Sequence, residues 1–190
     1  MKRTAVLIIF VLLFVCAAAA QNAKAIDISA LADAGRISGD KYANPILGIT
    51  IVAPNGTLEA NPLVNKEAGR ARLLQILSKS GNTDDTYTFA VLADTVARYS
   101  QLHSPAQYVR SVRHQMESAG YVTVREEFPI EIGGLHFTGA ILREATPSGR
   151  AHVRGMYTTF RDGLIISFDA EAATEDKLNQ LVERLVTFEH

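Results

Sequence analysis

Hydrophobic positions along the chain fall into three patterns. Over residues 5–20 they run almost unbroken. In several later stretches they alternate with polar positions, which is the period of a half-buried strand. In two stretches they recur every three or four residues, which is the period of a one-sided helix. Alternation is clear at 46–53, where Leu47, Ile49, Ile51 and Ala53 alternate with Gly48, Thr50 and Val52. It is clear again at 86–93, where Tyr87, Phe89 and Val91 alternate with Thr86, Thr88 and Ala90. Both read as strands. Pro54-Asn55-Gly56-Thr57 between them reads as a turn, since Asn-Gly readily supplies positive φ.

The first helical stretch begins at Ser104. This residue fits an N-cap, Pro105 sits at the first helical position, and Gln107 completes a capping box. Tyr108, Val109, Val112, Met116 and Ala119 share one face, with Arg110, Arg113, His114 and Glu117 off it, and Gly120 ends the helix. The second stretch opens at Thr174 as N-cap, with Glu175 and Asp176 in its first turn and Leu178, Leu181, Val182 and Leu185 as the stripe, extended by Phe188. Between the helices lies a four-strand antiparallel meander, at 121–132, 135–143, 151–160 and 164–170. Gly133-Gly134 and Asp162-Gly163 supply hairpin turns, and Thr146-Pro147-Ser148-Gly149 a loop. Pro129 marks its strand as an edge or a bulge, because proline cannot donate to a ladder.

Two regions are ambiguous by pattern. Residues 21–41 are weakly periodic and punctuated by Gly35, Gly39 and Asp40, which predicts a flexible N-terminal arm; 26–32 could be a short helix or part of that linker. In 58–85, residues 67–73 look helical, 73–77 could continue that helix or open a strand, and 78–85 is loop-like. Strands joined by local hairpins, with two one-sided helices to cover them, predict an α+β fold: an antiparallel sheet with helices packed on it, an α/β/α sandwich if they cover opposite faces.

The unbroken apolar run changes the picture of destination. Lys2 and Arg3 precede it, and Ala18-Ala19-Ala20 offers small residues before Gln21, with Ala23-Lys24-Ala25 as a second cleavage site. This is the layout of a secretory signal peptide over residues 1–20, or to 25. The run of 16 residues falls short of the ~20 that span a bilayer, which disfavours a retained anchor. Membrane contact is expected only if that segment is retained. Cys16 lies inside the run behind Val15, which disfavours lipidation. A single domain is expected over 42–190.

Charge and composition mostly exclude. After cleavage at Ala20 the chain carries 17 basic and 20 acidic residues, a net charge of −3. No basic excess points to nucleic acid. The one cysteine lies in the leader, which removes Cys nucleophiles, thiolate metal sites and CxxC redox chemistry.

Tyr42-Ala43-Asn44-Pro45-Ile46-Leu47-Gly48-Ile49-Thr50-Ile51, leading to Pro54-Asn55-Gly56, resembles the opening of the PsbP-like superfamily, which includes DcrB-type periplasmic proteins. The later order of helix from Ser104, hairpin at Gly133-Gly134, paired strands to Phe168 and closing helix is similar too, so the resemblance covers about 40–189. It implies an antiparallel sheet between helical layers and, for many members, an exported accessory or interaction role. Members often carry Trp after the Pro-x-Gly turn, where this chain has Thr57 and no Trp anywhere.

Few residues offer chemistry. GxSxG, HExxH, GxGxxG and P-loop motifs are absent, so no catalytic residue and no cofactor is expected. His103 and His114 would lie ~16 Å apart along a helix, too far to share an ion. His136 and His152 lie on meander strands that are candidate neighbours, and they are the candidate metal ligands, without a third. Arg125, Arg143 and Arg154 could line up on one sheet face as a partner-binding strip. The expectation is an exported, non-enzymatic accessory or protein-interaction domain with an unidentified protein partner in the cell envelope; the alternative is an extracytoplasmic small-ligand or metal-binding domain.

Overall fold

The computed structural model describes residues 26–53, 56–59, 62–78, 86–99, 101–145 and 152–188. The expected leader, the Pro54-Asn55 turn positions and the Thr146–Gly149 loop lie outside the described residues.

Asp27 caps a short helix α1 (Ile28–Ala34) by accepting from the Ser29 amide at 2.9 Å. Strands β1 (Arg36–Ser38), β2 (Lys41–Asn44) and β3 (Ile49–Val52) follow. The expected arm is therefore ordered from residue 26: Ile28, Leu31 and Ala32 are buried, as is Tyr42. Glycine and aspartate punctuate this segment as turns between short elements, not as an unstructured linker. The alternation at 46–53 holds as burial, although the ladder spans only β3: Leu47, Ile49, Ile51 and Ala53 are all buried.

Strands β4 (Gly56–Glu59) and β5 (Leu63–Asn65) both pair with β6 (Arg70–Ser78), against its C-terminal and N-terminal parts respectively. The helix expected over 67–73 is thus a turn leading into a strand. The misleading signal is a register shift between Arg72 and Leu74, which buries Leu73 and Leu74 side by side. Strand β7 (Thr88–Thr95) pairs with β6 and leads through a 3₁₀ turn (Val96–Arg98) to α2 (Pro105–Ser118). The α2 cap forms as its sequence predicts: Ser104 Oγ accepts from the Gln107 amide at 3.3 Å, and Gln107 Oε1 accepts from the His103 amide at 2.7 Å.

The meander forms as β8 (Tyr121–Ile132), β9 (Leu135–Glu144), β10 (Val153–Arg161) and β11 (Leu164–Ala172). Both tight turns place two successive residues at positive φ, Gly133 and Gly134 at 57° and 84°, Asp162 and Gly163 at 52° and 78°. That is the twist two-residue hairpins need. Pro129 lies on β8, the sheet edge, as expected. Helix α3 (Glu175–Leu185) is capped by Thr174 and runs into β12 (Val186–Phe188). Phe188 therefore does not extend the helical stripe; it reaches the core from a strand that pairs with β3.

The result is an α+β fold with antiparallel sheets and three helices packed on them among the described residues. The large sheet runs β4-β6-β7-β11-β10-β9-β8, with β5 beside β4 on β6; the small sheet runs β1-β2-β3-β12. One face of the large sheet carries Ile76, Phe89, Val91, Ile166 and Phe168 into a core closed by α1, α3 and the small sheet. The opposite face carries α2, which packs chiefly over β8, β9 and β10. No described helix is long and apolar enough to cross a membrane.

Candidate functional site

Strand alternation decides what the helix-bearing face presents. The buried members of β7 (Phe89, Val91, Ala93) face the core, so Thr88, Ala90, Leu92 and Asp94 face α2's side. Register then sets their neighbours: Arg70 and Arg72 on β6, Ser167, Asp169 and Glu171 on β11, and Arg154, Met156 and Thr158 on β10. Because the body of α2 lies over β8, β9 and β10, with Tyr108 at its start reaching Asp94 on β7, a groove follows its flank.

The groove has two contiguous chambers that share Leu92, Arg154 and Asp169. The first, about 390 Å³, lies between α2 and the sheet, with an aliphatic lining of Leu92, Val109, Val112, Met116 and Met156. The second, about 400 Å³, sits over the small side chain of Ala90 and is walled by Arg72, Gln75, Thr88, Asp169 and Glu171. Such volumes suit small ligands.

Asp94 anchors the first chamber's end. It is 1% exposed, yet its carboxylate accepts from three donors: Arg70 Nε at 2.6 Å, Tyr108 Oη at 3.0 Å and Tyr99 Oη at 3.3 Å. Arg70 also donates to Tyr99 Oη at 2.7 Å, and the two tyrosine rings meet edge to face. Burial, reinforced by Asp94, pushes the Tyr108 phenol above its ordinary range. The hydrogen bond to Asp94 raises Arg70. At the junction of the chambers Arg154 grips both oxygens of Asp169, with Nε 2.7 Å from Oδ1 and Nη2 on Oδ2. That grip raises Arg154 despite its burial. Tyr121 Oη receives a third bond from Arg154 at 3.5 Å. Ser167 Oγ shares its bond with Thr158 Oγ1 at 2.9 Å.

The second chamber is electrostatically different. The Arg72 side chain makes no hydrogen bond or ion pair among the described residues. Glu171 has only a loose contact with Arg154 Nε at 3.8 Å. A half-buried cation and a weakly held carboxylate therefore face the same space.

The expected partner strip is not built. Arg154 lies on the helix-bearing face, opposite Glu171 and Leu142. Arg143 pairs with Val122 and Val153, and Arg125 pairs with Ile141, all on the other face. Arg125 stacks over the Phe128 ring and reaches Glu175 of α3 at 3.4 Å. The cause is register: two irregularities in β8, flanking Arg125, move it off simple alternation. The histidine pair is separated too. His152 precedes Val153, which pairs with Arg143, whereas His136 lies at the opposite end of β9 beside Glu131. Seven residues of strand, ~23 Å, separate His136 from Arg143, so the two histidines cannot share an ion. His114 instead meets Glu117 at 2.9 Å. Among the described residues no three His, Cys, Asp or Glu side chains converge to hold a metal.

Sequence reading placed Arg113 off the helix's buried face, but it is buried, bridging Glu117 at 2.8 Å and Glu127 at 2.9 Å. It also missed Asp94, Arg70 and Arg72. Asp94 follows the alternating run of β7 as its one acidic member, which was the available signal.

No family model and no curated protein matches the chain. Among solved structures, a protein of Bacteroides thetaiotaomicron VPI-5482 is 11% identical at a TM-score of 0.43, covering 81% of this chain and 50% of its own. This chain thus spans half the length of that protein. LpqN, involved in cell envelope biogenesis of Mycobacterium tuberculosis, is 14% identical at a TM-score of 0.40, covering 75% of this chain and 91% of its own. At these scores neither likeness carries an inference about function.

Proposed function

We propose that the chain is an exported, non-enzymatic accessory domain of the cell envelope that works by holding a small ligand in the groove beside α2. The groove is the observation that carries the reading. Its two most firmly held carboxylates, Asp94 and Asp169, are already committed to arginine and tyrosine donors, which suits a rigid binding wall better than proton transfer. Export rests on the leader-like pattern of residues 1–25, and the PsbP-like placement of the fold rests on the Tyr42-to-Gly56 strand entry.

Native mass spectrometry of the protein recovered from its own envelope tests the reading. A retained small molecule, lost when Ala90→Leu fills the second chamber, is the expected result. Recovery of the same molecule with Ala90→Leu, or recovery of the protein in the cytosol with its N-terminus intact, overturns it.

A further inference from the structure

The two chambers differ in kind, and the difference specifies a ligand. The chamber under α2 has its polar groups tied up at its ends by Asp94 and Arg154, and the stretch lined by Leu92, Val109, Val112, Met116 and Met156 favours a hydrocarbon arm. The chamber over Ala90 is polar and carries opposite unspent charges. Arg154 and Asp169 neutralise each other, which leaves the Arg72 side chain without a partner among the described residues and Glu171 held there only at 3.8 Å. An anionic head would meet Glu171 and Asp169, and a cationic head would meet Arg72 and Arg154. A head bearing one charge of each sign satisfies both free groups.

The spacing agrees. Arg72 pairs with Leu92, and Glu171 pairs with Thr88, four residues further back along β7. Two strand spacings and four residues put their Cα atoms ~16 Å apart, much of which the two long side chains span. Gln75 and Thr88 line the interval and supply neutral donors and acceptors.

Resting on the ligand-holding reading above, we propose that the groove binds a single-chain zwitterionic amphiphile, its aliphatic arm between α2 and the sheet and its head between Arg72 and Glu171.

The test is calorimetric titration of the purified protein with dodecylphosphocholine, kept below its micelle concentration. Saturable one-to-one binding is expected, and dodecyl sulfate and dodecyltrimethylammonium should each bind at least about tenfold more weakly. Arg72→Gln and Glu171→Gln, both at the groove wall and outside the core, should each weaken the zwitterion about tenfold. Arg72→Gln should also erase the preference over the cationic probe. Leu92→Lys, which puts a charge where the arm lies, should abolish binding, and circular dichroism identifies any variant that has lost its fold. Equal binding of all three probes, or zwitterion binding indifferent to both head-site variants, overturns the proposal. If dodecylphosphocholine does not bind but the natural protein retains some other molecule that Ala90→Leu releases, this inference falls and the ligand-holding reading stands. If nothing is retained and nothing binds, both fall.

Discussion

Asp94 offers the sharpest test of the packing at the groove's end. In Asp94→Ala three donors lose one acceptor, but they are not equally placed to recover. The Arg70 side chain is 52% exposed and Tyr99 is half-buried, so both can turn to water. Tyr108 is 7% exposed, and its hydroxyl is stranded against the sheet. A stranded buried hydroxyl costs about 1–3 kcal/mol. The lost ion pair adds about 1 kcal/mol after discounting for Arg70's exposure, so about 3 kcal/mol in all is expected. Tyr108→Phe alone removes one bond, leaves Asp94 held by Arg70 and Tyr99, and should cost about 1 kcal/mol. The double variant strands no hydroxyl. It should therefore be more stable than Asp94→Ala alone, which is a negative departure from additivity. Urea unfolding followed by circular dichroism, with m unchanged across the series, measures all three. Strict additivity of the two single losses would refute the stranded-hydroxyl argument.

Other expectations follow from packing and titration. A Cβ at Gly155 would stand 2.6 Å from Tyr157 Oη and 2.7 Å from Leu178 Cδ2, so Gly155→Ala should lose about 1–3 kcal/mol in the same assay. Glu117 is held down to about 2 by hydrogen bonds from Thr123 and His114 and by Arg113. A carboxylate with a depressed folded pKa stabilises above its unfolded value, so stability should fall as pH drops from about 4.5 towards 2. Glu117→Gln should flatten that limb of a pH series of unfolding curves. Burial would raise Glu127, yet Arg113 and Arg110 overcome it and pull it down, so Glu127 adds to the same acid limb. Burial raises the phenols of Tyr108, Tyr157 and Tyr42. A raised folded pKa stabilises below the unfolded value, so stability should decline as pH climbs past about 10; an alkaline limb unaltered by Tyr108→Phe would contradict its share.

What the sequence made legible was what neighbours in the chain decide. Ser104, Pro105 and Gln107 specify the start of α2 within one turn, and Asp162-Gly163 specifies its hairpin from two residues. Thr174 likewise caps α3 from local chemistry alone. The failures occur where one extra residue in a ladder reverses which side faces the core. At β6 the shift between Arg72 and Leu74 imitates helical spacing, and in β8 the shifts around Arg125 separate it from Arg154. The groove was harder still. Its floor needs β7 beside β11, a pairing of Asp94 with Ile165 across the whole of α2 and the meander, and no local pattern encodes that neighbour.

The groove follows from a mismatch in coverage. A sheet seven strands wide extends ~29 Å across its strands, whereas one helix with its side chains covers ~10–12 Å. On the core face, α1, α3 and the small sheet together make up the width, and the centre of the sheet there is apolar, with Ile76, Phe89, Val91, Ile166 and Phe168. On the opposite face α2 is alone. Beneath it the sheet presents Ala140, Leu142 and Met156, which are buried. Beyond its flank the same face changes to Arg72, Gln75, Thr88, Asp169 and Glu171. A second helix laid over that half would have to bury two carboxylates and the Arg72 guanidinium, which has no partner among the described residues, at several kcal/mol per unpaired charge. The sequence thus commits this half of the face to water or to a polar occupant. The line where apolar coverage ends and charge begins is where an amphiphilic molecule gains on both sides.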